Sequence, residues 1–210
     1  MKIVLLGAPG SGKGTLGKYL HEQHGYTHVS TGDLFRKVLN EKTSLGDELR
    51  NAITSGTLVS DEITNAVVKE ELLKLVNKKA SFILDGYPRT IAQARFLDNI
   101  VDIDLVILTD VTEQLAVKRI MGRRLCPKCG AIYNIFFNPP KVENICDHDG
   151  AFLIQRKDDN EEIVKKRFEI YQISNKELVQ HYQKKNKFHK VDSNGDLQKT
   201  AQAVERLLKK

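Results

Sequence analysis

The N-terminal run MKIVLLGAPGSGKGT constrains the chain more than any other stretch of it. Ile3–Leu6 is uniformly apolar, the pattern of a strand buried on both faces. A glycine-rich turn follows, and a helical pattern begins near Lys13. Gly7, Gly10, Gly12 and Gly14 let backbone N–H groups point inward around an anion, where side chains would block its approach. The start of the helix adds its positive end, and Lys13 reaches β- and γ-phosphates as a mobile point charge. Strand, loop and helix in this order predict a nucleotide phosphate site at the edge of a parallel sheet.

The rest of the chain continues that plan. Further apolar runs at Phe82–Leu84, Leu105–Leu108 and Phe188–Val191, with a short strand ending at His28–Val29, alternate with helical patterns. Those patterns run from just after Val59 to Val76 and over Ile91–Leu97, Glu113–Met121 and Glu161–Tyr182. Alternation of this kind predicts an α/β fold, a parallel sheet flanked by helices on both faces. Two segments interrupt it. Thr31–Val59 is polar and helical, punctuated by Gly32, Gly46 and Gly56, and Arg123–Asp159 has little helical period and carries Pro127, Pro139 and Pro140. Both read as small insertions riding on the core.

With 210 residues, 40% hydrophobic and 29% charged, the chain suits one folded domain rather than a disordered one. No apolar run approaches a membrane span or a signal peptide, so a cytoplasmic location is expected. The net charge of +6 fits nucleic acid or small polyphosphates, and the placement of the cations decides between them. All three cysteines, Cys126, Cys129 and Cys146, fall within the second insertion, a clustering that favours a metal over disulfides.

Gly12-Lys13-Gly14-Thr15 departs from the commoner Gly-Lys-Ser/Thr, because the hydroxyl is displaced by one position. A carboxylate elsewhere should then matter more for magnesium, and Asp85, directly after Phe82-Ile83-Leu84, is well placed at a strand's C-terminal end. As a bland alternative, Asp85 simply begins the turn at Gly86. Arg36, Arg89, Arg119, Arg123, Arg156 and Arg167 sit at strand ends and junctions rather than scattered over the surface. Arginine offers phosphate a planar bidentate fork that keeps its charge.

These stretches together resemble the adenylate kinases, of the bacterial type with a long lid. The resemblance rests on GAPGSGKGT, STGDLFR (Ser30–Arg36), GTLVSDE (Gly56–Glu62), LDGYPRT (Leu84–Thr90), GRR (Gly122–Arg124), FNPPKVE (Phe137–Glu143) and QRKDDNEE (Gln155–Glu162). It covers nearly the whole chain. One departure is SNKELVQHY, Ser174–Tyr182, which lacks a proline that many relatives carry there.

The resemblance implies a P-loop-containing five-stranded parallel sheet with a small helical AMP-binding insertion over 30–59 and a zinc-knuckle lid over 123–159. The core would comprise 1–29, 60–122 and 160–210. It implies reversible transfer from Mg-ATP to AMP giving two ADP, by a monomer that engages neither nucleic acid nor membrane. ATP would lie on Gly10, Ser11, Gly12, Lys13, Gly14 and Thr15, with Arg119, Arg123, Ile132, Tyr133 and Gly195 contacting it. AMP would lie among Thr31, Arg36, Thr57, Leu58, Val59, Gly86, Tyr87, Pro88, Arg89 and Gln93. Lys13, Asp85, Arg89, Arg123, Arg156 and Arg167 would serve the transfer, the last two closing over the phosphates, while Asp158 and Asp159 would help hold the lid closed.

Cys126-Pro-Lys-Cys129 and Cys146-Asp-His-Asp149 form two knuckles able to curl around one structural, tetrahedral zinc. Asp149 keeps the two-residue gap and matches those adenylate kinases whose lid reads CxxC…CxxD. His148 is the rival fourth ligand, imidazole being the commoner donor. Two rival functions remain at this level: another nucleoside monophosphate kinase such as a UMP/CMP kinase, and a nucleic-acid-binding zinc module. The second insertion lacks the clustered basic and aromatic residues that the latter needs.

Overall fold

A computed structural model describes residues 1–39, 55 and 57–209. At its centre lie the strands β1 (Lys2–Gly7), β2 (Thr27–Ser30), β3 (Phe82–Asp85), β4 (Leu105–Asp110) and β7 (Phe188–Asp192). They form a five-stranded, all-parallel sheet in the order β2-β3-β1-β4-β7. β1, β3 and β4 are apolar on both faces, as their uninterrupted Ile, Val and Leu runs require.

One face is covered by α1 (Lys13–His24) and the C-terminal α7 (Leu197–Leu208), which enclose Ile3, Leu5, Ile83, Ile107 and Val204. The other is covered by α3 (Asp61–Asn77), α4 (Ile91–Asp98) and α6 (Glu161–Lys184), around Val4, Leu72, Phe82, Leu84, Leu97 and Tyr182. The remaining described helices are α2 (Thr31–Leu39) and α5 (Glu113–Met121). α6 runs unbroken through Ser174–Tyr182, so the absent proline leaves a continuous helix. In α7, which the sequence reading does not mark as an element, Ala201 and Val204 face the sheet on one stripe of the helix.

Arg123 to Asp159 forms a separate small unit. A two-stranded antiparallel ribbon, β5 (Arg123–Leu125) with β6 (Ile132–Asn134), frames a cluster of Cys126, Tyr133, Cys146 and Leu153. Of the other insertion, the structure describes α2 and the residues from Thr57 onward, with Phe35 packed on Val59. Positions 40–54 and 56 of the expected segment 30–59, Gly46 and Gly56 among them, lie outside the described residues.

Parallel strands put every C-terminal end on one edge of the sheet. The β1–α1 loop, the turn after β3 and the loop after β7 therefore meet there, where ligands of open α/β sheets bind.

Candidate active site

The loop between β1 and α1 is laced to its neighbours. Ser11 Oγ donates to Thr109 Oγ1 of β4 at 2.7 Å, and that hydroxyl donates onward to the Leu6 carbonyl at 3.1 Å. Ser193, just after β7, donates to the Ser11 carbonyl at 2.6 Å. At Gly10, with φ of 80°, an added Cβ would stand 2.4 Å from the Ala116 carbonyl oxygen. Gly12 occupies the N-cap of α1 at φ 89° and offers no side chain to its amides. α3, α4, α6 and α7 are instead capped by Ser60, Thr90, Asn160 and Asp196. The first turn of α1 thus keeps donors and a positive dipole end open to an anion.

Lys13 folds over this cradle. Its Nζ donates to the carbonyls of Gly7 at 2.6 Å and Ala8 at 2.9 Å, and to Ser11 Oγ at 3.3 Å. Withdrawal from water pushes its ammonium down to about 8; Asp85 opposes the shift, and Arg89 and Arg123 add to it. Asp85 borders the start of α1: its Oδ2 would lie 3.4 Å from a Cβ at Gly14. The same oxygen is 3.4 Å from Nε2 of His28, whose ring fills space left by Gly17, where a Cβ would stand 2.5 Å from it.

Beyond Asp85 the turn is fixed from beneath. Gly86 adopts φ 80°, where a Cβ would press Thr31 Oγ1 at 2.7 Å, and the Tyr87–Pro88 peptide is cis. Thr31 Oγ1 donates to the Gly86 carbonyl at 3.0 Å. Gln93 accepts from the Arg89 backbone N–H at 2.7 Å and donates to Asp61 at 2.7 Å. The Tyr87 hydroxyl donates to Asn65 at 2.7 Å. Thr31, Tyr87 and Gln93 are thus buried scaffold for the turn that carries Arg89. Val59 is also buried, Leu58 is half-buried and Thr57 is exposed.

Six arginines converge on this edge. Arg123 grips Asp159 through both ends of its fork, one contact being 2.8 Å from Nε to Oδ2, and Arg167 pairs with Asp158 at 2.7 Å. Arg36 pairs with Asp33. Burial, followed by Arg123 and Arg36, pushes Arg156 down to about 10, and burial also lowers Arg89, with Arg167 adding to it. Among the described residues, two arginine donors are buried without a partner, Arg156 Nε and Arg119 Nη1. Arginine donors in that condition point to a ligand. Arg119 also donates to the Gly195 carbonyl at 2.8 Å and lies 6.0 Å from the Phe137 ring centroid. This joins two expected nucleotide contacts, Arg119 and Gly195, to an aromatic ring that sequence reasoning did not single out.

The knuckles form a second site. Sγ of Cys126, Cys129 and Cys146 and a carboxylate oxygen of Asp149 all lie within 4.8 Å of one another. Cys129 and Cys146 are 3.6 Å apart at sulfur, near the edge of about 3.8 Å that a tetrahedron of Zn–S bonds requires. His148 is exposed and outside this group. A backbone N–H from Ala151 leads the interactions that hold the Asp149 carboxyl down at about 2. Tyr133 turns inward, its hydroxyl 3.5 Å from Cys146 Sγ, while its neighbour Ile132 is half-buried on β6.

A phosphate cradle facing a fan of arginines across one sheet edge defines a P-loop phosphotransferase of the nucleotide-kinase class. The adenylate kinase family model matches residues 5–187. An adenylate kinase of Malacoplasma penetrans is 49% identical over 95% of this chain and 93% of its own. One from Pseudothermotoga lettingae is 48% identical over 100% and 99%, and one from Clostridium kluyveri 41% over 99% and 98%. The chain belongs to the adenylate kinase family.

Sequence reasoning missed Thr109, Asp61, Asn65 and His28, which hold the named residues in place, and took Ser193 with Gly195 as a loop beside adenine rather than as a brace for the phosphate loop. Their contacts span from 22 to 182 positions, which no local pattern signals. The loop geometry separates two otherwise similar glycines. Gly10→Ala meets backbone as well as left-handed strain and should cost about 3 kcal/mol or more. Gly12→Ala meets only Ser193 Oγ at 3.7 Å and should cost about 1 kcal/mol. Urea unfolding of both variants measures the difference.

Proposed function

We infer that the chain transfers the terminal phosphoryl group of Mg-ATP to AMP, reversibly, giving two ADP. The observation that carries this reading is one sheet edge with an open helix N-terminus and Lys13 on one side, Arg89 and Arg36 on the other, and Arg123, Arg156 and Arg167 between. ATP phosphates take the cradle of Gly10–Thr15, and the AMP phosphate takes Arg36 and Arg89. The AMP phosphate oxygen is already anionic, so the nucleophile loses no proton and no general base is required. The task is to align two phosphates and neutralise the charge spread over the group in transfer. Lys13 and the arginines do both.

Asp85 offers a hard oxygen donor beside the cradle, suited to a magnesium ion or its waters. When bound, magnesium screens the β- and γ-phosphate charge. Segments 30–59 and 123–159 serve as AMP-binding insertion and lid on the core of 1–29, 60–122 and 160–210, and their closure excludes water from the phosphoryl group. Three thiols and a carboxylate fit zinc, whose four protein ligands leave no open position, so its role is structural. A monomer in the cytoplasm fits cysteines kept as thiolate ligands, and no described helix is long and apolar enough to cross a membrane.

A coupled assay with ATP, AMP and magnesium tests the reaction, with UMP and CMP as competing acceptors. Lys13→Ala and Arg89→Ala should each lower turnover at least tenfold while the circular dichroism spectrum is retained. Faster turnover with UMP or CMP than with AMP would reassign the acceptor.

The lowered ammonium gives a second handle. Lys13 is about 8 in the folded chain against roughly 10.4 when unfolded. Between those values the unfolded state holds more protons, so Lys13 adds stability as pH rises through the window and costs stability below it. Bound phosphates restore the charge, so ATP binding at pH 8.5 should be accompanied by net proton uptake. Calorimetry in buffers of differing ionisation enthalpy reads this uptake, and Lys13→Met should abolish it.

Zinc should be found at one per chain. Its removal should lower the melting temperature while turnover at low temperature survives. Asp149→Ala should weaken zinc retention and His148→Ala should leave it unchanged.

A further inference from the structure

Lys18 lies on α1 outside the phosphate loop. The structure gives it a specific partner: Nζ donates to the Gly130 carbonyl at 2.5 Å, across 112 positions of chain. Gly130 directly follows Cys129 and adopts φ 72°. Its amide closes the first knuckle onto the Cys126 carbonyl at 3.0 Å, and the Cys126 amide donates to Ala131 at 2.9 Å. The second knuckle repeats this turn: Gly150, at φ 69°, donates to Cys146 at 3.0 Å, and Cys146 donates to Ala151 at 2.9 Å.

The two turns differ in their surroundings. A Cβ at Gly150 would meet nothing within 4 Å among the described residues, whereas at Gly130 it would face Lys18 Nζ at 4.0 Å. One knuckle is docked on α1 and its duplicate stands clear of any such neighbour among the described residues. α1 is also the helix that opens the phosphate cradle at Lys13, so the docking point and the cradle share one rigid element.

Charge supports the contact. Three thiolates and a carboxylate around Zn²⁺ leave a formal charge of −2 on the knuckle pair, and Lys18 presents a cation to its backbone. An ammonium on a flexible stem can follow a moving carbonyl and release it, which a rigid guanidinium fork does less well.

We propose that Lys18 is a positioning residue for the phosphoryl transfer: it docks the first knuckle on α1 and thereby holds segment 123–159 over bound ATP. The proposal rests on the reading of 123–159 as a lid. It acts on the closed state, not on the reacting phosphates. Loss of the dock should therefore raise the KM for ATP without lowering kcat, because opening is often the step that releases product.

The test compares wild type, Lys18→Met and Lys18→Arg as zinc-loaded full chains. Fluorophores are placed by non-cysteine chemistry at the exposed Phe152 of the lid and at Glu22 of α1, leaving the zinc ligands intact. Lys18→Met should shift the ATP concentration for half-closure upward three- to tenfold. The KM for ATP should rise by the same factor, with kcat unchanged or up to twofold higher and with zinc content and melting temperature unaltered. Lys18→Arg should fall between the two. Identical closure curves for wild type and Lys18→Met would overturn the proposal. So would loss of zinc or early melting in Lys18→Met, which would mark the lysine as a structural prop. Wild-type chain that hydrolyses no ATP wastefully and transfers to AMP, yet shows no closure with ATP, would remove the lid reading and this proposal with it. Failure of transfer itself would count instead against the proposed reaction.

Discussion

Like charges held close together in a half-dry cleft set the terms for the rest of this molecule. Burial, with Arg89 and Arg123 close by, lowers the affinity of Lys13 for protons; burial with Arg167 does so for Arg89, and burial with Arg123 and Arg36 for Arg156. Such crowding opposes folding, so the scaffold must hold the cations against their repulsion. It does so with elements that need no charge. A fully apolar parallel sheet fixes where the loops emerge, and hydroxyl bridges from Ser11 to Thr109 and from Ser193 to Ser11 fix the cradle itself. Acidic residues then neutralise part of the excess: Asp159 for Arg123, Asp158 for Arg167 and Asp33 for Arg36.

The positions of the scaffold residues follow from this. Thr31, Tyr87 and Gln93 direct their polar atoms to backbone or to Asn65 and Asp61, stiffening the turn after β3. Among the described residues no carboxylate pairs directly with Arg89, and the stiff turn aims it instead. The knuckle segment solves the same problem on a smaller scale. It has too little apolar surface for a core of its own, and its four convergent donors offer a metal the role that a core plays elsewhere.

Much of this was legible in the chain. Continuous apolar runs marked β1, β3 and β4, because a strand buried on both faces has no alternation to confuse with anything else. Glu113–Met121 emerged with its observed bounds, since an amphipathic helix between a Thr and a Gly carries both of its own boundaries. The cradle was legible because glycine spacing is itself the mechanism. By contrast α7 was hidden: only a narrow stripe through Ala201 and Val204 is buried, and polar residues surround it. The partners of the named site residues were equally hidden. That Asp61 supports Gln93, or that Gly17 makes room for His28, is decided by strand order and not by neighbours in sequence. Asp149 is preferred over His148 on its two-residue gap from Cys146, and its carboxylate lies with the three sulfurs.

The pairing of Arg123 and Arg167 with Asp159 and Asp158 has a consequence for selection among anions. Each of these guanidinium groups already has a carboxylate, so an incoming ligand must displace or outbid a fixed unit charge before it gains the full contact. Chloride, bicarbonate or a single carboxylate brings no more charge than the group in residence and exchanges with no advantage. A polyphosphate brings several charges on one rigid frame and can engage both arginines together. At Arg123 and Arg167 the aspartates thus set a threshold that a small single-charged anion does not clear and a polyphosphate does.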